Sequence, residues 1–157
     1  MSSSSESQKT LILIVDDNQI NVRVAELVLD GQGFRTASLN SGVGVVEWAK
    51  DNQPDLILLD IMMPEVDGLQ VCRSLKEERL TQLIPVIFLT AQTGTAGLVE
   101  GFKAGGADYV VKPFESNELL SRVRAHIHIR QLQKDLEHKN DHLEKSLHQI
   151  AKLQNAM

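Results

Sequence analysis

Short apolar runs alternate with amphipathic stretches along this chain, and this alternation constrains its fold more than any other feature. Leu11–Val15 is a continuous apolar run that ends at Asp16 and Asp17, as is typical of a strand covered on both faces. Four further runs, one of them weaker, lie at residues 34–38, 55–60, 85–90 and 107–111. Five strands alternating with five helical stretches predict an α/β fold, a doubly wound five-stranded parallel sheet with five helices.

Composition excludes several classes of protein. Lys and Arg number 16 against 21 Asp and Glu, a net charge of −5, and no basic cluster is visible, so we expect no nucleic-acid binding by this chain. No apolar run approaches the roughly 18 residues of a membrane span, and the Ser-rich start does not resemble a secretory signal. A single cysteine, Cys72, agrees with a reducing compartment. We therefore expect a cytoplasmic protein without membrane contact.

The distribution of residue types divides the chain into three parts. We predict a disordered tail at residues 1–9, a globular domain at residues 10–128 and a helical extension at residues 129–157. All five histidines lie at or beyond His126. Residues 1–125 therefore contain no histidine, and chemistry there must come from carboxylates, hydroxyls and lysine.

Polar side chains stand where the predicted strands end. Asp16 and Asp17 follow the first strand, and the third, fourth and fifth strands end at Asp60, Thr90 and Lys112. In a doubly wound sheet these ends form the ligand crevice. Clustered carboxylates require a bound cation or a raised pKa, and a few carboxylates with open positions suit Mg²⁺. A hydroxyl and an ammonium suit phosphoryl oxygens. The pattern indicates phosphoryl transfer to a carboxylate.

Four motifs in this order carry a resemblance to a known family. They are Val15-Asp16-Asp17, the segment 58–68 (LLDIMMPEVDG), Leu89-Thr90-Ala91 and Val111-Lys112-Pro113-Phe114. Together they resemble the receiver domain of two-component response regulators, which has a flavodoxin-like fold. The resemblance covers about residues 10 to 130.

The resemblance implies a phosphorylation site and a metal site. Asp60 would accept a phosphoryl group from the phosphohistidine of a sensor histidine kinase or phosphotransfer protein. Asp17, Asp60 and the Met62 carbonyl would ligate Mg²⁺, and Asp16 would hold the ion through water. The domain would catalyse only its own phosphorylation and dephosphorylation, so it would not be an enzyme with a separate substrate.

The resemblance also implies a conformational switch. Thr90 and Lys112 would bind the phosphoryl oxygens, and Thr90 would act together with Tyr109, the aromatic switch residue. Met62 and Gln92 occupy positions where the family varies, and these positions tune how long the phosphorylated state lasts.

The extension carries a heptad pattern. Steps of three and four from Ile129 give a seam that Lys139 and Ser146 interrupt. The apolar seam positions are Ile129, Leu132, Leu136, Leu143, Ile150, Leu153 and Met157. We predict one helix from Ser116 to Ala156 that continues into a parallel dimeric coiled coil, and the alternative is a frayed, marginally stable helix.

Other functions remain open from the sequence. A receiver with such an extension would precede an output domain in a longer protein. Alternatively, it would be a stand-alone phosphorelay or docking receiver whose extension binds a partner helix. A third possibility, an aspartate-nucleophile phosphatase, would require an acid two residues after the nucleophile, where Met62 stands.

Overall fold

A five-stranded parallel sheet forms the centre of the molecule. The computed structural model describes residues 9–91 and 95–155, so most of the predicted tail and position 157 of the seam lie outside the described residues. The strand order is β2-β1-β3-β4-β5, with every pair parallel. The elements alternate as β1 (Leu11–Val15), α1 (Gln19–Asp30), β2 (Arg35–Leu39), α2 (Val45–Asn52), β3 (Leu56–Asp60), α3 (Gly68–Glu77), β4 (Val86–Thr90), α4 (Thr95–Lys103), β5 (Asp108–Val111) and α5 (Ser116–Asn155). The predicted fold class is confirmed.

Four predicted strands begin one residue too early, since the runs at 34–38, 55–60, 85–90 and 107–111 correspond to strands that begin at Arg35, Leu56, Val86 and Asp108. The second strand also ends one residue later than predicted, because β2 is Arg35–Leu39. Phe34 still belongs to the turn after α1, because its N–H donates to the Leu29 carbonyl at 3.2 Å and Gly33 before it has a φ of +89°. The Arg35 N–H then bonds the Thr10 carbonyl at 2.8 Å and starts the pairing with β1.

The sheet buries both of its faces, which explains why its strands are continuously apolar. In β1, Leu13 and Val15 pack in one core cluster together with residues of α2 and α3. Ile12 and Ile14 point to the other cluster, which includes residues of α1 and α5. All five residues of β3 are buried, so this strand lies at the centre of both clusters.

The last helix has a buried part and an exposed part. Leu119, Val123 and Ile127 pack against the sheet, and beyond Ile127 every described helix residue is partly or largely exposed. With 40 residues, α5 is about 60 Å long at ~1.5 Å per residue. Lys134 still contacts the globular part, since its Nζ lies 3.1 Å from Asp55 Oδ1. Among the described residues, no helix has the length and apolarity to cross a bilayer.

Candidate functional site

Three carboxylates meet at the carboxyl edge of the central strands. Val15 of β1 pairs with Leu59 of β3, which brings the residues after them, Asp16 and Asp60, to the same edge. Asp17 completes the group, and the nearest oxygens of the three side chains all lie within 4.8 Å of one another. Asp16 and Asp60 are buried, whereas Asp17 is exposed. The site therefore opens to solvent on the Asp17 side.

Lys112 neutralises part of this negative charge. It follows β5, and its N–H bonds the Thr90 carbonyl at 2.8 Å. Its ammonium Nζ lies 3.0 Å from Asp60 Oδ1 and 3.1 Å from Asp16 Oδ2. One cation thus bridges two buried carboxylates, which would otherwise repel each other at close range.

Burial dominates the ionisation of Asp60. It raises the pKa of this carboxyl to about 6, although the hydrogen bond from Lys112 lowers the pKa. The negative charge of Asp16 raises the pKa further. Asp60 is therefore a carboxylate at neutral pH that is held in an unfavourable ionised form, and a cation or a transferred group would relieve this cost.

The carboxylate cluster fits a magnesium ion. Asp16 Oδ2 is buried and receives no hydrogen bond of good geometry from any described residue, despite its closeness to Lys112. Its other oxygen accepts the Asn18 N–H at 2.9 Å. All available donors are oxygens, as Mg²⁺ prefers, and the exposed Asp17 leaves room for water ligands.

The loop after β3 is folded tightly onto Asp60. The Met62 N–H donates to Asp60 Oδ1 at 3.2 Å, and the Gly68 N–H donates to the Ile61 carbonyl at 2.9 Å. A Cβ at Gly68 would collide with the Asp60 carbonyl, so only glycine fits there. Asp67 caps α3 by accepting the Gln70 N–H at 2.8 Å. The segment thus fixes the Asp60 side chain and starts the next helix.

The two predicted switch residues lie on neighbouring strands. The Thr90 hydroxyl donates to the Ala91 carbonyl at 3.0 Å. Tyr109 is half-buried, with the Phe102 ring edge-on to it at 6.4 Å between centroids and the Arg122 guanidinium 5.4 Å from its ring centre. A narrow gap borders the Tyr109 ring and is lined also by Ile61 and Phe88.

Comparison with known proteins identifies the family. The model of the response regulator receiver domain matches residues 12–124, which is most of the chain. The chain belongs to the response regulator receiver family. As a receiver, it is similar to the DNA-binding response regulator MtrA of Mycobacterium tuberculosis, with 38% identity over 122 residues, 78% of this chain and 52% of MtrA. It is also 39% identical to the response regulator PleD of Caulobacter vibrioides over 114 residues, 73% of this chain and 25% of PleD.

A solved receiver has the same fold. The receiver domain of sensor histidine kinase PA1611 from Pseudomonas aeruginosa PAO1 was solved with a magnesium ion coordinated in its active site cleft. It superposes with a TM-score of 0.71 at 31% identity, over 76% of this chain and 98% of that domain. This receiver chain spans about half the length of MtrA and a quarter of PleD.

The structure brings four of the predicted site residues together, leaves the Thr90 hydroxyl on the Ala91 carbonyl, and adds contacts that the sequence did not indicate. Asp16, Asp17, Asp60 and Lys112 meet as expected from the strand ends. Gln92, which the resemblance linked to the lifetime of the phosphorylated state, lies outside the described residues. Sequence reasoning missed an ion-pair group at Asp108, which lies 2.7 Å from Arg122 Nη1 and 3.0 Å from His126 Nε2. Arg122 and His126 lie 14 and 18 residues after Asp108 and on a different element, so no short sequence motif could indicate that they meet.

Proposed function

We propose that Asp60 accepts a phosphoryl group from a phosphohistidine on a sensor histidine kinase or phosphotransfer protein. The observation that carries this proposal is the buried Asp60 carboxylate beside two further carboxylates and the bridging Lys112 ammonium. In the proposed site Asp17, Asp60 and the Met62 carbonyl hold Mg²⁺, with Asp16 acting through water. Family membership supports both the donor and the ion.

The reaction is a nucleophilic substitution at phosphorus. An Asp60 carboxylate oxygen attacks the phosphorus, the phosphorus–nitrogen bond of phosphohistidine breaks, and its electron pair remains on the imidazole, which is released as histidine. The product is an acyl phosphate on Asp60. When bound, Mg²⁺ supplies positive charge to the phosphoryl oxygens.

Two side chains serve the transferred group in this proposal. The Lys112 ammonium, now paired with Asp16 and Asp60, donates to a phosphoryl oxygen. The Thr90 hydroxyl leaves the Ala91 carbonyl and donates to another. Catalysis on a separate substrate is not part of this function, because position 62, where a phosphatase would place an acid, holds a Met whose side chain is 76% exposed.

The extension supplies the output in this proposal. Residues 10–128 act as the receiver, and residues 129–157 pair with a second copy as a parallel coiled coil. The described seam residues are each about half exposed in the single chain, which leaves an apolar face without cover: Ile129, Leu132, Leu136, Leu143, Ile150 and Leu153. We place the protein in the cytoplasm.

Phosphorylation by a small acyl-phosphate donor tests the acceptor. The wild-type protein in Mg²⁺ should gain one phosphoryl group by intact-mass measurement, and Asp60→Asn should gain none. Asp67→Asn is the matched control, since asparagine also caps helices, and should be phosphorylated like the wild type. Asp17→Asn should be phosphorylated more slowly, because the acceptor remains while a metal ligand is lost.

Two results would contradict the proposal. Equal phosphate uptake by Asp60→Asn would place the acceptor elsewhere. Sustained turnover of a phosphoester, with many product molecules released per protein molecule, would instead indicate a phosphatase.

A further inference from the structure

A second polar cleft lies at the end of the sheet opposite the carboxylates. Pro85, which precedes β4, and Ala107, which precedes β5, both line it, so it opens at the amino ends of these strands. Its volume is about 200 Å³. Lys76 at the end of α3 lines one side, and Arg130 of α5 lines another. Among the residues that the structure describes, none that lines this cleft is acidic.

Two backbone carbonyls fix the Lys76 ammonium in this cleft. Its Nζ donates to the Ile84 carbonyl at 2.7 Å and to the Gln82 carbonyl at 3.1 Å. An ammonium has three N–H donors, so one remains for another acceptor. Within residues 9–91 and 95–155, Lys76 forms no ion pair. Burial lowers the pKa of Lys76, and the positive charge of Arg130 lowers it further.

The guanidinium of Arg130, which also lines this cleft, has one nitrogen without a hydrogen-bond acceptor among the described residues. Its Nη1 is buried and has no hydrogen-bond partner among the residues that the structure describes. A buried guanidinium nitrogen without an acceptor is costly, because desolvation is not compensated. Arg130 and Lys76 therefore form a pair of like charges whose mutual repulsion an anion would remove.

We propose that this cleft binds a small phosphate-class oxyanion, either inorganic phosphate or the phosphate group of a small phosphomonoester. Its oxygens would accept hydrogen bonds from Arg130 Nη1 and from the free donor of Lys76. A tetrahedral dianion suits a cleft lined by two cations better than a carboxylate does, since it offers acceptors in several directions. His126 also lines the cleft, but its Nε2 lies 3.0 Å from Asp108 Oδ2.

The cleft lies between the globular part and the start of the extension, so a bound anion would contact both. Arg130 and Gln133, which line it, belong to the segment of α5 where the helix leaves the globular part. Lys76 belongs to α3 of the receiver. A bound phosphate would therefore join the start of the extension to the receiver at the end of the sheet opposite Asp60.

Phosphate titration of the full chain tests the site. The titration is run without Mg²⁺ and with chelator, at constant ionic strength, and is followed by calorimetry and by amide chemical shifts. Inorganic phosphate and glycerol phosphate should each shift residues 82–85 and 126–133 and leave the amides around Asp16 and Asp60 unchanged. Arg130→Gln should weaken the affinity about tenfold or more, as expected for one charge-assisted hydrogen bond. Arg130→Lys should retain part of the phosphate affinity, because it keeps the positive charge.

A second arginine on the same helix provides the control. Arg124→Gln removes the same charge, but Arg124 bonds Gln32 outside the cleft, so phosphate affinity should stay at the wild-type value. Binding of inorganic phosphate alone would identify the free ion as the ligand, and tighter binding of glycerol phosphate would identify a phosphomonoester. Three results would overturn the proposal: no saturable binding, equal loss in both arginine variants, or binding of acetate as tight as that of phosphate.

Discussion

Two aspartates of this receiver show how a residue's surroundings decide its ionisation. Burial raises the pKa of Asp60 to about 6, so its negative charge destabilises the folded state at neutral pH. Burial also acts against the charged form of Asp108. However, the hydrogen bonds from the Tyr109 N–H, Arg122 and His126 outweigh it and lower the pKa of Asp108. The charge of Asp60, the proposed phosphoacceptor, is thus disfavoured by its surroundings, whereas the charge of Asp108 is favoured.

We predict a pH-dependent loss of stability in Asp108→Asn. At pH 7 the variant should lose about 1 to 3 kcal/mol of unfolding free energy, because Arg122 and His126 lose a charged acceptor. A lowered pKa contributes stability above the ordinary value of 3.8, and this contribution disappears as the pH falls through the lowered pKa. Urea unfolding at pH 7, 5 and 3 should therefore show a difference from the wild type that persists at pH 5 and shrinks at pH 3.

The neighbouring Glu118 provides the comparison. It pairs with the same arginine at 3.4 Å but is more exposed, so Glu118→Gln should cost less than Asp108→Asn at every pH. A difference for Asp108→Asn that is as large at pH 3 as at pH 7 would show that packing, rather than charge, sets the effect.

Individual residues also show which contacts can be predicted from the sequence. Strand-end positions predicted that Asp16, Asp60 and Lys112 would meet, because parallel strands present their carboxyl ends at one edge. The sequence did not predict that one ammonium would bridge both carboxylates, nor that Lys76 and Arg130 would line one cleft. Those pairs form across distances of more than 40 residues, where only the packed fold determines the contact.

At the scale of elements, hydrophobic periodicity predicted the type and order of the strands and helices correctly but placed their boundaries less accurately. Each continuous apolar run became a strand because both faces of the sheet are covered. Strands β2 to β5 each begin one residue later than predicted. At β2 the reason is that the turn after α1 uses the Phe34 N–H. The helix from Ser116 extends to Asn155 among the described residues, in agreement with the absence of Gly and Pro.

The seam of α5 is the element whose pairing we predict. Leu136→Asp combined with Leu143→Asp would place charges inside the proposed coiled coil, at a cost of several kcal/mol. Analytical ultracentrifugation should report a dimer for the wild type and a monomer for this variant. Gln131→Asp with His138→Asp is the control, because it adds the same two carboxylates at exposed positions off the seam, and it should remain dimeric. A Leu136→Asp/Leu143→Asp protein that stays dimeric would place the interface on the globular part.

At the scale of the whole molecule, the proposed phosphoacceptor and the extension lie at different ends of the sheet. Asp60 is at the carboxyl edge, whereas the exposed part of α5 starts near the amino ends of β3 and β4, where Lys134 contacts Asp55. A signal between them must pass through an element with two arrangements. The connection available here runs from Thr90 to Tyr109 on the adjacent strand and on to Arg122 of α5, which contacts both the Tyr109 ring and Asp108.

This connection predicts that phosphorylation changes the pairing of the extension. With Mg²⁺ and beryllium fluoride as the phosphoryl mimic, Thr90 would turn from the Ala91 carbonyl to the mimic, and Tyr109 would move toward the vacated space. Typical coupling free energies correspond to a change of about 5- to 150-fold in the dimer dissociation constant. Sedimentation should detect this change in the wild type and in Tyr109→Phe, which keeps the ring, but less of it in Thr90→Ala and Tyr109→Ala. If the mimic leaves the wild-type constant unchanged, the coiled coil is a constitutive tether. If Thr90→Ala and Tyr109→Ala respond like the wild type, the signal reaches α5 by another route.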